Sequence, residues 1–156
     1  MVDIALFQPD IPQNAGTILR LGACLGVRVH IIEPAGFIWS ERSFRRAGLD
    51  YLDRAPVSRH ASFADFTDWA GRRRLVLLTT KAERNYLDAR FREDDILLLG
   101  RETSGVPDAV HERADLRVTI PMRPGFRSLN VAVACAMVLG EALRQTRYHE
   151  PGAAQG

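Results

Sequence analysis

The sequence predicts an α/β fold, a mostly parallel sheet flanked by helices, and three observations predict it. Short apolar runs alternate with segments of helical periodicity along the 156 residues. The runs Leu75 to Thr79 and Ile96 to Leu99 are continuously apolar rather than alternating, as strands covered on both faces are. No internal repeat, linker or low-complexity block interrupts the alternation, so residues 1–156 are expected to form a single domain. In such a sheet a ligand sits at the carboxyl ends of the strands.

The elements follow in order. Val2 to Phe7 reads as the first strand, and Asn14 to Leu25 as a helix. That helix packs Ile18, Leu19, Leu21 and Leu25 with the small Gly22 and Ala23; Asn14 is a candidate cap, and Gly26 stops it. Val27 to Ile32 is the second strand. Ser40 to Ala47 reads as a short helix closed by Gly48, and Ser62 to Ala70 as another with Ser62 as N-cap. After the strands Leu75 to Thr79 and Ile96 to Leu99, Pro107 to Arg113 gives a helix, Leu116 to Ile120 a strand, and Ser128 to Arg147 the last helix. The tail, residues 150–156, is small and polar and is expected to fray.

Composition narrows the class. A chain of this length buries enough surface to fold without disulfides or metal. Cys24 and Cys135 fall in apolar helical patterns and read as two reduced core thiols. No apolar run is long enough to span a membrane, and the amino terminus has no basic leader, so a cytoplasmic protein is expected. Net charge is only +2, but 20 of the 21 basic residues are arginine, Lys81 being the exception. Arginine suits bidentate phosphate contacts, although an arginine-biased genome gives the same count. No glycine-rich dinucleotide fingerprint, phosphate-binding lysine loop or nucleophile elbow occurs, and the four histidines show no metal-ligand spacing.

Three constellations can carry chemistry. Asn14-Ala15-Gly16-Thr17-Ile18-Leu19-Arg20 follows the turn from Gln8 to Gln13. Arg20 is there either solvent-facing or held for a phosphate or carboxylate. Leu97-Leu98-Leu99-Gly100-Arg101-Glu102-Thr103-Ser104-Gly105-Val106-Pro107 runs from a strand into a helix-starting proline. Its Glu102 can hold a substrate hydroxyl or amine, pair with an arginine, or stabilise the helix N-terminus. The third runs from Ile120-Pro121-Met122-Arg123 through Pro124 and Gly125 to Phe126-Arg127-Ser128-Leu129-Asn130. It is a strand end, a tight polar loop and the start of a long helix, where backbone donors, Ser128 and Asn130 converge.

In this order and spacing the three motifs resemble the SPOUT superfamily of methyltransferases, most closely its small members that methylate the wobble ribose of tRNA. The similarity extends through His30-Ile31-Ile32-Glu33-Pro34, Phe37 and Arg45 to Tyr51, and so covers essentially the whole chain. The resemblance implies a trefoil knot over about residues 75–147, the last helix threaded through a loop, and a homodimer with its active site at the subunit interface. It implies S-adenosylmethionine as cofactor, with no metal, held by Leu78, Thr79, Thr80, Gly100, Glu102, Ile120, Pro121, Met122, Ser128 and Leu129. Arg20, Glu102, Ser128 and Asn130 match catalytic positions. The implied substrate is the anticodon loop of tRNA, with leucine tRNA as the family precedent and cytidine or a modified uridine at the wobble position. Arg20, Arg42, Arg45, Arg46, Arg123 and Arg127 are candidate RNA contacts. Thr17 stands where the family usually has Asn, and Gly140-Glu141 where a Tyr-Glu pair is common. Methylation of another tRNA position or of ribosomal RNA, and a knotted RNA-binding dimer without catalysis, are the alternative readings.

Overall fold

The structure is a computed structural model that describes residues 1–37 and 56–146. The predicted helix from Ser40 to Ala47, with Arg42, Arg45 and Arg46, and the tail lie outside the described residues. Among the described residues six strands form one sheet: β1 Asp3–Phe7, β2 Val29–Ile32, β3 Val57–His60, β4 Leu75–Leu78, β5 Ile96–Leu99 and β6 Leu116–Val118. Their order is β3-β2-β1-β5-β4-β6, and every pairing is parallel. Among the described residues the helices are α1 Pro12–Leu25, α2 Phe63–Ala70, α3 Asp108–Arg113 and α4 Val131–Gln145, with one 3₁₀ turn at Tyr86–Asp88.

Strand composition sets the layers. β1, β4 and β5 sit inside the sheet, and alternate residues of each feed opposite cores. On one face Ile4, Leu6, Val76, Leu97 and Leu99 pack with Ile18 and Leu19 of α1 and Cys135, Val138 and Leu139 of α4. On the other, Ala5, Phe7, Leu75, Leu77 and Leu98 pack with Phe66 and Ala70 of α2 and Val110 of α3. Each large aliphatic side chain buried here contributes about 1.5–3 kcal/mol. Among the described residues no helix is long and apolar enough to cross a membrane.

Several expectations are met and several are corrected. Gly26 ends α1 in the left-handed conformation (φ 66°), and the Ser62 hydroxyl caps α2 by accepting from Asp65 N at 3.1 Å. Gly22 is small for a reason: a Cβ there would lie 2.7 Å from Val27 O. The helix expected from Asn14 begins instead at Pro12, with Ile11 at the cap and Asn14 inside the first turn. Proline is preorganised for a first helical position and lacks only an N–H that has no partner there. The last helix begins at Val131, not Ser128, because Asn130 is its cap: its Oδ1 accepts from Ala132 N (2.8 Å) and Val133 N (3.3 Å). Cys135 is buried, and burial pushes its thiol up to about 12, but Cys24 is exposed rather than in the core. Strand β3 has no counterpart in the sequence reading. Its residues Val-Ser-Arg-His are mostly polar, as an edge strand bonded on one side only allows.

Candidate active site

The carboxyl ends of β4, β5 and β6 open into one cavity of about 770 Å³. Leu78, Thr79 and Thr80 line it from the end of β4, and residues 99–106 from the end of β5. Val118, Thr119, Ile120 and Met122 contribute from the end of β6, and Arg127 to Val131 from the approach to α4. Thus the second and third motifs and the end of β4 share one wall, to which the first motif contributes only Asn14. Parallel strands all deliver their carboxyl-end loops to the same edge, which is why they meet.

Local structure explains each contribution. Residues 101–105 form a narrow loop in which Arg101 and Gly105 exchange both backbone bonds at 2.9 Å. Gly105 takes φ 66°, and a Cβ on Gly100 would fall 2.7 Å from the Gly105 carbonyl carbon, so both positions require glycine. The loop after β4 is held to the end of β6: Thr79 N donates to Val118 O (3.0 Å) and Tyr86 N to Thr119 O (2.9 Å). The approach to α4 turns at Gly125 (φ 91°) and ends at the Asn130 cap. Asn130 Nδ2 donates to Asn14 Oδ1 at 3.0 Å, which ties α4 to the start of α1.

Of the residues expected to hold a cofactor, all but Pro121 line this wall. Glu102, Ser128 and Asn130 stand on it, as does Arg127; Arg123 is exposed on the same loop but outside it. Arg20 is exposed on α1 and does not line the cavity. Sequence reasoning passed over Lys81, Asp108 and His111, which also line the cavity, and Asp10, which does not line it but bonds Glu102 of its wall. Asp10 stood within the turn leading to α1, but nothing local marks a residue whose partners are 92 positions away.

Asp10 and Glu102 are the electrostatic centre of the site. Each backbone N–H donates to the other's carboxylate, Asp10 N to Glu102 Oε2 and Glu102 N to Asp10 Oδ1, both at 3.2 Å. The Thr103 hydroxyl donates to Asp10 Oδ2, and Arg101 Nε lies 3.7 Å from that oxygen. Burial and the neighbouring Asp10 carboxyl push Glu102 above the usual carboxylate range. Asp10 is held below it, chiefly by its hydrogen bond with Glu102 and then by Thr103. Two adjacent carboxyls resist ionising together, and the one with more donors keeps its charge.

The pattern of the SpoU rRNA methylase family matches residues 1–140. The chain belongs to this family. A protein of Beijerinckia indica named tRNA (cytidine(34)-2′-O)-methyltransferase is 67% identical over 144 residues, 91% of this chain and 90% of its own length. A solved structure concerned with 2′-OH methylation of C/U34 on tRNA is 42% identical, with a TM-score of 0.88, and the match covers 93% of this chain and 95% of that one. The SpoU methyltransferase AviRb from Streptomyces viridochromogenes, solved in complex with the cofactor AdoMet, has a TM-score of 0.81 at 29% identity. That match covers 93% of this chain and 60% of AviRb. The fold of this chain is thus shared with both solved structures.

Proposed function

We propose that this SpoU-family chain is a cytoplasmic, S-adenosylmethionine-dependent tRNA methyltransferase. It modifies the 2′-hydroxyl of the wobble ribose, cytidine or a modified uridine, leucine tRNA being the first substrate to try. The observation that carries the reading is the gathering of three loops around one cavity. The volume lies within the roughly 300–1,000 Å³ of small-molecule sites. Its apolar residues Leu78, Leu99, Ile120, Leu129 and Val138 suit an adenine ring, and the Glu102 carboxylate suits a cationic ligand. The cofactor, when bound, supplies an electrophilic methyl group to a ribose oxygen.

The residues of the chain would do the rest by positioning. Ser128 and Asn130 orient groups at the cavity mouth, and Arg123 and Arg127 on the same loop meet RNA phosphates, as do Arg42, Arg45 and Arg46. Arg20 orients the ribose or its neighbouring phosphate and stabilises the developing alkoxide, since a guanidinium keeps its proton.

A homodimer accounts for where Arg20 stands. The exposed side of α4 carries Val133, Ala136, Met137 and Gly140 at helical spacing, with Val133 50% exposed. The exposed side of the adjacent α1 carries Gln13, Thr17, Arg20 and Cys24. Pairing these faces between two copies covers the apolar row and carries an Arg20 toward the site. The knot has support too. The end of α4 is bonded to the β4–β5 connection, Phe91 N donating to Gln145 Oε1 and Gln145 Nε2 to Ala89 O, both at 2.9 Å. This is the contact expected of a helix threaded through that segment of a single domain.

The test is direct. Bulk tRNA lacking the modification is incubated with the protein and labelled methyl donor, and the ribose-methylated nucleotide is mapped by mass spectrometry. Label at the wobble ribose is expected, and label elsewhere or none overturns the reading. Arg20→Ala is expected to lower turnover by about two to three orders of magnitude while leaving cofactor affinity near wild type. Methylation by that variant at the normal rate would remove Arg20 from the site.

A further inference from the structure

Asp10 does not line the cavity, yet its contacts hold one side of the cavity together. Four groups of the loop after β5 converge on it. Glu102 Oε2 accepts from Asp10 N, and Glu102 N donates to Asp10 Oδ1. The Thr103 hydroxyl donates to Asp10 Oδ2, close to Arg101 Nε. Asp10 is itself fixed from behind. Gly36 N donates to Pro9 O at 2.8 Å, and Gly36 approaches so closely that a Cβ on it would lie 2.7 Å from Asp10 Cβ. The Asp10 side chain is only 11% exposed.

We infer that Asp10 is the positioning residue of the cavity, holding Glu102 and the loop 101–105 in the wall through reciprocal bonds between backbone amides and carboxylates. The consequence for ligand binding rests on the reading of the cavity as an S-adenosylmethionine site. Two carboxyls this close impose a division of charge as well as of space. Asp10, with the Thr103 hydroxyl and Arg101 beside it, keeps its charge, and Glu102 carries the proton at a higher pH than an isolated carboxyl would. The other charged or titratable groups of the wall are Lys81, Asp108, His111 and Arg127. An ionised Glu102 favours a cationic ligand, and a protonated one does not. Affinity for the sulfonium cofactor should therefore be present at neutral pH and lost as pH falls through the raised Glu102 midpoint. A residue that only stiffened the loop would not move that midpoint.

The experiment uses the full chain and two readouts. S-adenosylmethionine binding is followed by calorimetry between about pH 4.5 and 8, and the Glu102 carboxyl is titrated by carbon NMR without ligand. Asp10→Asn keeps an acceptor for Glu102 N but removes the neighbouring charge. It is expected to bind within about threefold of wild type near pH 8, with both the Glu102 midpoint and the acid limb of binding moved to lower pH. Asp10→Ala releases the loop and is expected to bind roughly tenfold more weakly across the range. Should the alanine variant not fold, the asparagine variant still decides. An unmoved Glu102 midpoint and acid limb in Asp10→Asn would overturn the inference. If wild type takes up no cofactor while the Glu102 midpoint still moves in Asp10→Asn, the cofactor reading falls and the coupling of Asp10 to Glu102 stands.

Discussion

The first strand has an aspartate near each end, and the two are treated in opposite ways. At its start, Asp3 faces cations and donors: Oδ2 accepts from His30 Nε2 and from Arg73 Nη1, both at 2.8 Å. His30 Nδ1 meets His60 Nε2 at 3.0 Å, and Trp69 lies across the His30 ring at 4.3 Å between centroids. A carboxylate can only accept, so with both rings neutral His30 donates to Asp3 and His60 donates to His30. Asp3, both ring nitrogens of His30, and Arg73 find their partners within the fold. Beyond the other end, Asp10 faces a second carboxyl, that of Glu102 in the cavity wall. A polar cluster that completes itself adds stability and leaves nothing for a ligand. One that sets like charges side by side is held by its surroundings and keeps capacity for a partner.

Replacing Asp3 with alanine should give the largest effect at the closed end. It leaves the fully buried His30 Nε2 without its acceptor and removes the carboxylate from Arg73, which keeps only the Asp94 and Met1 carbonyls, and about 3 kcal/mol of stability should be lost in denaturant titration. Cofactor affinity of the folded variant should stay near wild type; a large loss would mean that the two ends are coupled. Gly100→Ala probes the open end. The new Cβ meets Gly105 backbone, which cannot step aside as a flexible side chain can. The loop must open at a cost of about 1–3 kcal/mol, and calorimetry should find cofactor binding weakened by tenfold or more, a larger change than in global stability.

The smallest effect is a pH dependence. Burial, then the adjacent His30 ring, lowers His60 from its ordinary value of 6.5. The unfolded chain thus binds this proton more readily than the folded one. The associated stability is complete above about pH 6.5 and declines as pH falls toward the folded value. The lowered Asp3 carboxyl acts with the same sign further down, below its ordinary 3.8. Thermal unfolding should show a Tm lower by at most a few degrees near pH 5.5 than at pH 7.5, and His60→Gln should flatten that step. An unchanged slope in the variant would assign the step to other groups.

Much of this was readable along the chain. Strands β4 and β5 are continuous apolar runs because both faces of a central parallel strand are covered, and burial of that kind leaves its mark on every residue. Gly26 and Ser62 work through their immediate neighbours, so their roles as helix stop and N-cap were also legible. Strand β3 was not, because an edge strand needs no apolar pattern: its Val57 pairs with Val29 and its His60 with Ile32 only once β2 is in place. Nor was the start of α4, since choosing between Ser128 and Asn130 as cap depends on where the turn at Gly125 delivers the chain.

By itself, then, the sequence determined the layered α/β class and the three loop motifs, because periodicity, glycine and capping residues act over a few positions. Only the tertiary structure decided that Asp10 would bond Glu102, that Asn14 would bond Asn130, and that Arg20 would stand outside the cavity. Those outcomes depend on which strand ends become neighbours, and contacts between residues some 90 to 120 positions apart leave no local trace in composition or spacing.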